Sequence, residues 1–345
     1  MGGLAGIALA IGGSPKGALS SPMSYLRTLG PRADPATVLM WGLTVLSLAV
    51  VGIITVAVVA GVLVRRRRGS VESFATLPAQ RGAGGLAWFW VGMPLTLISL
   101  VGVMGWTVSV LATIDSPKTR PRLILEVTGH QWWWQVRYLS DNPAETFVTA
   151  NEIHIPTGEP VLVKLVSADV IHSFWIPALT GKTDTIPGQT NVAWLQADRP
   201  GRYHGQCAEF CGIEHARMGL DVIAQRPAAF EAWRQGQARP AALPGAGPEA
   251  TGEEVFAGHC AVCHTVRGMS LPVVRHPGDE GVVAPDLTHL MSRETLAAGT
   301  VPNTVGGLSG WIGNPQALKP GARMPKTYLS GPQLSVVVRY LETLR

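Results

Sequence analysis

Two long stretches without a charged residue dominate the hydrophobic pattern of the first third of the chain. From Val38 to Val64 every residue is apolar, Gly, Ser or Thr. That length exceeds the roughly 20 residues a bilayer-spanning helix needs. A second uncharged stretch runs from Leu86 to Ile114, with Pro94 in its first turns and Trp88, Phe89, Trp90 and Trp106 where an aromatic belt sits. The pattern predicts a helical hairpin over 38–114, with spans at 38–64 and 86–114. Its loop carries Arg65, Arg66, Arg67, Arg68 and Arg81 against the single acid Glu72. The positive-inside rule puts that loop in the cytoplasm and both chain ends outside.

Beyond Ile114 the apolar runs shorten and alternate: Leu123–Val127, Trp132–Tyr138, Glu152–Ile155, Val161–Val166, Val192–Leu195 and Leu220–Ile223. Turn signals such as Pro156-Thr157-Gly158 and Pro187-Gly188 separate them, which predicts an all-β sandwich over 115–225. Residues 226–250 are rich in Ala, Pro, Gly and Gln and read as a linker that begins with a short amphipathic piece around Phe230 and Trp233. A third domain spans 251–345. It opens with a helix through Glu253 and Phe256 and closes over Gln333–Leu344, where Val337, Tyr340, Leu341 and Leu344 recur at helical spacing. The first 37 residues hold an apolar stretch, Leu4–Ile11, and a small-residue site at Ala18-Leu19-Ser20, so this segment reads as a candidate signal peptide that lacks the usual preceding Lys or Arg.

Composition supports the membrane reading. The 345 residues are 46% hydrophobic and 15% charged, and the mean hydropathy is +0.21. The 40 Gly and 26 Pro, about a fifth of the chain, suit a loop-rich outer domain and exclude collagen and bulk disorder. The net charge of +5 owes four charges to the Arg65–Arg68 run, so it serves topology rather than nucleic acid. The four cysteines fall in two tight pairs, Cys207/Cys211 and Cys260/Cys263, spacings that suit a cofactor better than a disulfide framework.

The first pair sits in Cys207-Ala208-Glu209-Phe210-Cys211-Gly212-Ile213-Glu214-His215-Ala216-Arg217-Met218, with His172 lying 35 residues before Cys207. Cys211, His215, Met218 and His172 alone would make a one-copper site, because thiolate, thioether and imidazole select copper over metals that prefer oxygen. Cys207 is surplus to that set, and a second thiolate lets two sulfurs bridge two copper ions. A Cys207–Cys211 disulfide and a zinc site of two Cys and two His are the competing readings, and neither uses Met218. The second pair forms Cys260-Ala261-Val262-Cys263-His264, the C-x-x-C-H haem-attachment pattern. A redox dithiol or half a zinc ribbon competes, but the βαβ context and the second C-x-x-C are missing. Met324, in Pro320-Gly321-Ala322-Arg323-Met324-Pro325, is the candidate sixth ligand, since Met opposite His raises a haem potential. Met269 and Met291 compete with it.

The copper-type segment resembles the copper A loop of subunit II of haem-copper cytochrome c oxidases. The resemblance extends over most of 38–223 and includes Gly129-His130-Gln131-Trp132-Trp133-Trp134, Asp169-Val170-Ile171-His172-Ser173 and Lys182-Thr183-Asp184-Thr185-Ile186-Pro187-Gly188. It implies a cupredoxin-like sandwich in which Cys207 and Cys211 bridge two coppers, His172 and His215 cap one each, Met218 is a weak ligand and Glu209 lends its carbonyl. In that family the Glu209 side chain also binds magnesium at the subunit I contact. Trp132 matches the tryptophan through which electrons enter, whereas Trp133 is expected to pack in the sandwich core. The C-terminal part resembles an all-α class I cytochrome c, with Ala284-Pro285-Asp286-Leu287 and Trp311-Ile312-Gly313-Asn314-Pro315 as in that family; the Pro285 carbonyl would orient the His264 ring.

Together the parts resemble subunit II of a caa3-type oxidase. The resemblance implies a chain in a bacterial inner membrane with both cofactor domains on the periplasmic side. It takes electrons at covalent haem c from an external donor, a cytochrome c or a bc1-type complex, and passes them through copper A to subunit I, which reduces oxygen to water; subunit III and membrane lipid are further partners. Fusion makes the first transfer intramolecular, at an effective concentration of about millimolar. A small subunit of a copper A nitric oxide reductase and a membrane-anchored carrier without an oxidase partner are the alternatives, while nitrous oxide reductase would need a second, His-rich copper site that this sequence lacks. One departure stands out. Where the family's second helix opens Glu-x-x-Trp-x-x-x-Pro, Trp90 and Pro94 align and Ala87 replaces the acid that marks proton entry. The remaining histidines, His130, His154, His204, His259, His276 and His289, have no ligand-spaced partner and read as structural.

Overall fold

A computed structural model describes residues 25–67, 84–271 and 284–345. The candidate signal segment up to residue 24, Arg68, Glu72, Arg81 and His276 lie outside the described residues. The chain divides into two compact bodies, the hairpin 34–116 and a second body containing 117–345 together with the residues that precede the hairpin.

The hairpin consists of α1 (Asp34–Arg67) and α2 (Gly84–Asp115). Their most apolar stretches, Asp34–Val64 and Phe89–Asp115, are each long enough to cross a bilayer, and almost none of their surface is covered by protein. Where the helices meet, the Trp106 ring occupies the place a side chain at Gly42 would take, 2.2 Å from its Cβ position. Small residues at such crossings let helices approach closely in lipid. Thr44, Thr55, Thr96 and Thr107 donate back to the carbonyl four residues earlier, which satisfies these hydroxyls on an apolar face.

The second body begins with two five-stranded sheets, ordered β3-β2-β1-β5-β8 and β4-β10-β9-β6-β7. The strands are β1 (Leu123–His130), β2 (Trp133–Leu139), β3 (Phe147–Ala150), β4 (Glu152–Pro156), β5 (Val161–Ser167), β6 (His172–Trp175), β7 (Thr183–Thr185), β8 (Asn191–Leu195), β9 (Gly201–Cys207) and β10 (Gly219–Gln225). The six expected runs all become strands. The unforeseen β3, β6, β7 and β9 are short or rich in polar residues, so alternation is faint in them. Inward positions fill one core: Leu125 and Val127 from β1, Trp134, Val136 and Tyr138 from β2, and Phe174 from β6.

The structure corrects the expectation for the aromatic triplet. Gln131 and Trp132 form the turn between β1 and β2, so the alternation starts at Trp133 and places Trp134, fully buried, in the core. Trp133 is half-buried and stacks on His130, with ring centroids 4.4 Å apart. The segment before the hairpin belongs to this body as well: Leu29 N–H donates to the Ala178 carbonyl (2.8 Å), the Leu29 carbonyl accepts from Asp198 N–H (3.1 Å), and Arg32 donates to the Trp194 carbonyl (2.8 Å).

After β10, α3 (Pro227–Ala238) lays Phe230 and Trp233 on the sandwich, and Trp233 stacks on His154 at 3.9 Å. The C-terminal helices are α4 (Pro248–His259), α5 (Val305–Gly313), α6 (Pro315–Leu318) and α7 (Gly331–Glu342), with a two-residue ladder of β11 (Thr295–Leu296) and β12 (Val301–Pro302). Helix α7 starts at a capping box, in which the Ser330 hydroxyl accepts from Gln333 N–H and the Gln333 side chain accepts from Ser330 N–H. Phe256 of α4 and Val337, Tyr340 and Leu341 of α7 form the centre of a second apolar core.

Candidate functional site

The loop between β9 and β10 carries Cys207 through Met218, and β6 brings His172 beside it. The register of the sheet does this, because β6 pairs with β9 so that Phe174 lies opposite Cys207. Cys207 Sγ is 3.8 Å from Cys211 Sγ, too far for a disulfide, whose sulfurs lie about 2.05 Å apart. His172 Nδ1 lies 4.0 Å from the Cys207 sulfur. On the opposite side, Cys211 Sγ is 3.6 Å from His215 Nδ1 and 3.8 Å from Met218 Sδ. The Glu209 carbonyl lies 3.2 Å from Cys207 Sγ. Two ligands held about 2.0–2.3 Å from one tetrahedral metal are themselves about 3.5 Å apart, so these spacings are those of a ligand set. The order of donors is imidazole, sulfur, sulfur, imidazole with thioether. This row of soft sulfur and imidazole donors is compatible with copper.

His172, Cys207, Cys211 and Met218 are buried. Hydrogen bonding from Cys211 draws the Cys207 thiol below its ordinary range. The hydrogen bond with Cys207, and after it burial, push Cys211 the other way.

Asp169 had no role assigned from sequence, since an Asp three residues before a His is common. Here its Oδ1 is 2.8 Å from His172 Nε2, which turns the other ring nitrogen toward Cys207. Burial opposes charge on Asp169, but hydrogen bonds from His172 and from Gln131 N–H outweigh it and hold the carboxyl at about 2. A carboxylate behind a histidine fixes the ring and makes it a better ligand. Trp132, half-buried in the β1–β2 turn, donates its indole N–H to the Cys211 carbonyl (3.0 Å), and the Gln131 amide donates to the same oxygen (2.8 Å).

Among the described residues, His172, Cys207 and Cys211 are the one His/Cys/Asp/Glu cluster tight enough for a metal ion. Glu209 stands apart from it: its carboxylate is half exposed and lies 3.9 Å from the Lys182 ammonium.

In the helical domain, Cys260, Cys263 and His264 follow the end of α4 as one turn. The His264 Nδ1 donates to the Pro285 carbonyl at 2.8 Å, so Nε2 is the nitrogen left for a ligand role. Burial lowers the pKa of His264, the direction that favours the neutral ring metal ligation requires. Met269 and Met291 pack against the domain's apolar core. Met324 is half-buried on the loop after α6.

Three of the other histidines have structural partners: His154 with Gln225, His204 with Asp221, and His289 with the carbonyls of Arg239 and Arg345.

Residues 123–225 match the family profile of the cytochrome C oxidase subunit II periplasmic domain, and residues 249–345 match that of cytochrome c. The chain is 33% identical to cytochrome c oxidase subunit 2 of Alkalihalophilus pseudofirmus over 309 residues, covering 88% of this chain and 85% of that protein. It is 31% identical to cytochrome c oxidase subunit 2 of Bacillus sp. strain PS3, covering 81% of this chain and 80% of that protein. Among solved structures, the periplasmic domain of subunit II of the cytochrome oxidase of Bradyrhizobium japonicum aligns with 34% of this chain and 95% of its own, at 30% identity and a TM-score of 0.32.

Proposed function

The chain belongs to the cytochrome c oxidase subunit II family, and from that premise we propose that it is the electron-carrying subunit of a terminal oxidase, with a dinuclear copper centre in the sandwich and a covalent haem in the C-terminal domain. The observation that carries the reading is the row of donors from His172 through Cys207 and Cys211 to His215 and Met218, at spacings suited to shared metal ions. In this reading Cys207, Cys211, His172 and His215 would hold the coppers, with Met218 and the Glu209 carbonyl as weaker donors. Cys260 and Cys263 would anchor the haem, and His264 and Met324 would ligate its iron. Met324 is preferred because Met269 and Met291 serve the apolar core.

When bound, these groups supply one-electron redox centres between an outside donor, a cytochrome c or bc1-type complex, and subunit I, where oxygen is reduced. The chain's own residues prepare the sites. Asp169 orients the His172 ring, and Gln131 and Trp132 hold the Cys211 carbonyl and with it the metal loop. The Pro285 carbonyl sets the His264 ring, and the buried surroundings exclude water, which limits the rearrangement that accompanies each change of charge. Trp132, in contact with the Cys211 peptide, is the proposed electron entry to the copper side.

Connectivity supports the proposed membrane placement: residues just before α1 and those from 117 onward belong to one folded body, as expected of a hairpin with its arginine-rich turn in the cytoplasm and the sandwich and helical domain on the periplasmic side of a bacterial inner membrane.

Expression with its neighbouring subunits tests the whole reading. The purified complex is expected to contain a large polytopic subunit with subunit III, to show a two-copper paramagnetic signal and a c-type haem band, and to consume oxygen with reduced cytochrome c. A complex that turns over nitric oxide instead, or a chain that purifies alone without copper, contradicts it.

A further inference from the structure

The helical domain lies against the sandwich on a face that includes the metal loop, and buried polar groups make the contacts. Lys319, at the C-terminal end of α6, is 2% exposed. Its Nζ donates to the Ala297 carbonyl of its own domain (3.1 Å) and to the Trp132 (2.9 Å) and Arg217 (2.7 Å) carbonyls of the sandwich. An ammonium has three donors, so all are used. Both sandwich acceptors belong to the candidate copper side: the Trp132 indole holds the Cys211 carbonyl, and Arg217 directly precedes Met218.

The same loop makes further contacts, among them an ion pair from Arg323 to Asp169 at 3.7 Å. Arg323 donates to the Gln131 side-chain carbonyl (2.6 Å), and Gly321 packs so closely on Ile213 that a Cβ would lie 2.2 Å from its Cδ1. Farther along the face, Glu152 of β4 accepts from the backbone N–H groups of Glu294 (2.7 Å) and Thr295 (3.0 Å), and Arg202 joins Asp221 to Glu294. The connection is held as well, for Arg267 donates to the Gln237 (2.6 Å) and Ala238 (3.1 Å) carbonyls at the end of α3.

Apolar contact is non-directional and tolerates sliding. A buried ammonium does not, because its desolvation is offset only while its acceptors stay in place. Carbonyls from Trp132, Arg217 and Ala297 converge on one nitrogen in a single relative position of the two domains. We propose that Lys319 is the pin that registers the haem domain on the copper loop, so that electrons cross between domains from one fixed pose instead of from a tethered, diffusing domain. Lys319 is a positioning residue, and the proposal rests on the copper and haem reading above.

The test is Lys319→Met in the full chain in detergent, a change that keeps the aliphatic stem and removes the donors. Copper content, haem content and both optical spectra are expected to match the wild type. Flash-induced haem-to-copper transfer is expected to slow by about tenfold or more, the order of factor associated with losing a charge-assisted hydrogen bond. The rate should also become dependent on added viscogen, and backbone amides of 131–134 and 316–324 should exchange faster. An unchanged rate that stays insensitive to viscosity, with unchanged exchange, overturns the pin. Should the variant fail to accumulate, the wild type decides: transfer insensitive to salt and viscosity supports a fixed pose, and a rate that falls with either overturns it. A wild-type chain without the two-copper signal or the c-type haem band would instead refute the cofactor reading, leaving amide exchange in Lys319→Met to judge the pin.

Discussion

Gly129 lies on β1 opposite Trp134 and Ser167, beside the imidazole proposed to cap one copper. A Cβ built there would fall 2.6 Å from His172 Cδ2, 3.0 Å from its Cγ and 3.2 Å from Thr185 Oγ1. Carbon atoms settle at about 3.5–4.0 Å, so Gly129→Ala requires the ring to retreat by roughly 0.9 Å. The ring has little freedom to do so, being fully buried and bonded through Nε2 to Asp169 at 2.8 Å. Metal–ligand distances hold to about ±0.2 Å, so the displacement exceeds that tolerance about fourfold. The accompanying overpacking costs about 1–3 kcal/mol, against a gain of about 0.4–1 kcal/mol from a less flexible unfolded chain. Gly129→Ala is therefore expected to bind less than its full copper complement, or to show altered hyperfine structure in electron paramagnetic resonance, and to unfold at a lower temperature. Gly181→Ala, at a site with no atom within 4 Å of the added Cβ, is the control and should behave as wild type. Full copper with an unshifted spectrum and an unchanged unfolding temperature in Gly129→Ala would refute the placement of His172.

Cys207→Ser should replace the two-copper resonance with a one-copper pattern from the remaining Cys211, His172, His215 and Met218, or lose the metal; a surviving two-copper signal excludes the sulfur bridge. Met324→Ala should abolish the weak sulfur-to-iron absorption of the oxidised haem and lower its potential, whereas Met291→Ala should mainly lower the unfolding temperature, because that side chain packs in the domain core; the reverse pattern moves the axial ligand to Met291. Burial holds the pKa of His154 at about 4 in the fold, while the unfolded chain protonates it near 6.5, so its contribution is intact above pH 6.5 and is lost as pH falls toward 4, by about 3 kcal/mol in all. His154→Phe, which keeps the stack on Trp233, should flatten the fall in unfolding temperature between pH 7 and pH 5, and an equally steep fall in both proteins contradicts this.

Features local in sequence were legible in it. The spans follow from length without charge, and the haem-attachment pattern and the Cys207–Met218 loop each fit within a dozen residues, where ligand type and spacing alone restrict the chemistry. Strong alternation marked six strands. The weaker strands β6 and β9 escaped notice, yet their pairing is what carries His172 across to Cys207. The aromatic triplet was ambiguous for a related reason: a period of two assigns faces only after the turn that starts the strand is known, and the Gln131-Trp132 turn decided for Trp134.

Partners far apart along the chain belonged to the tertiary structure alone. Asp169 behind His172 looks like any surface acid until β6 turns the ring toward it. Lys319 reads as one more lysine in a Pro- and Gly-rich loop, and its acceptors Trp132 and Arg217 are 187 and 102 residues away. Composition reads the segment around Arg239 as a linker, and only the fold shows that Arg267 and His289 bond it to the helical domain. Periodicity and spacing report what each residue needs from its near neighbours. Which distant carbonyl satisfies a buried ammonium depends on sheet register and domain packing, and those are settled only when the whole chain folds.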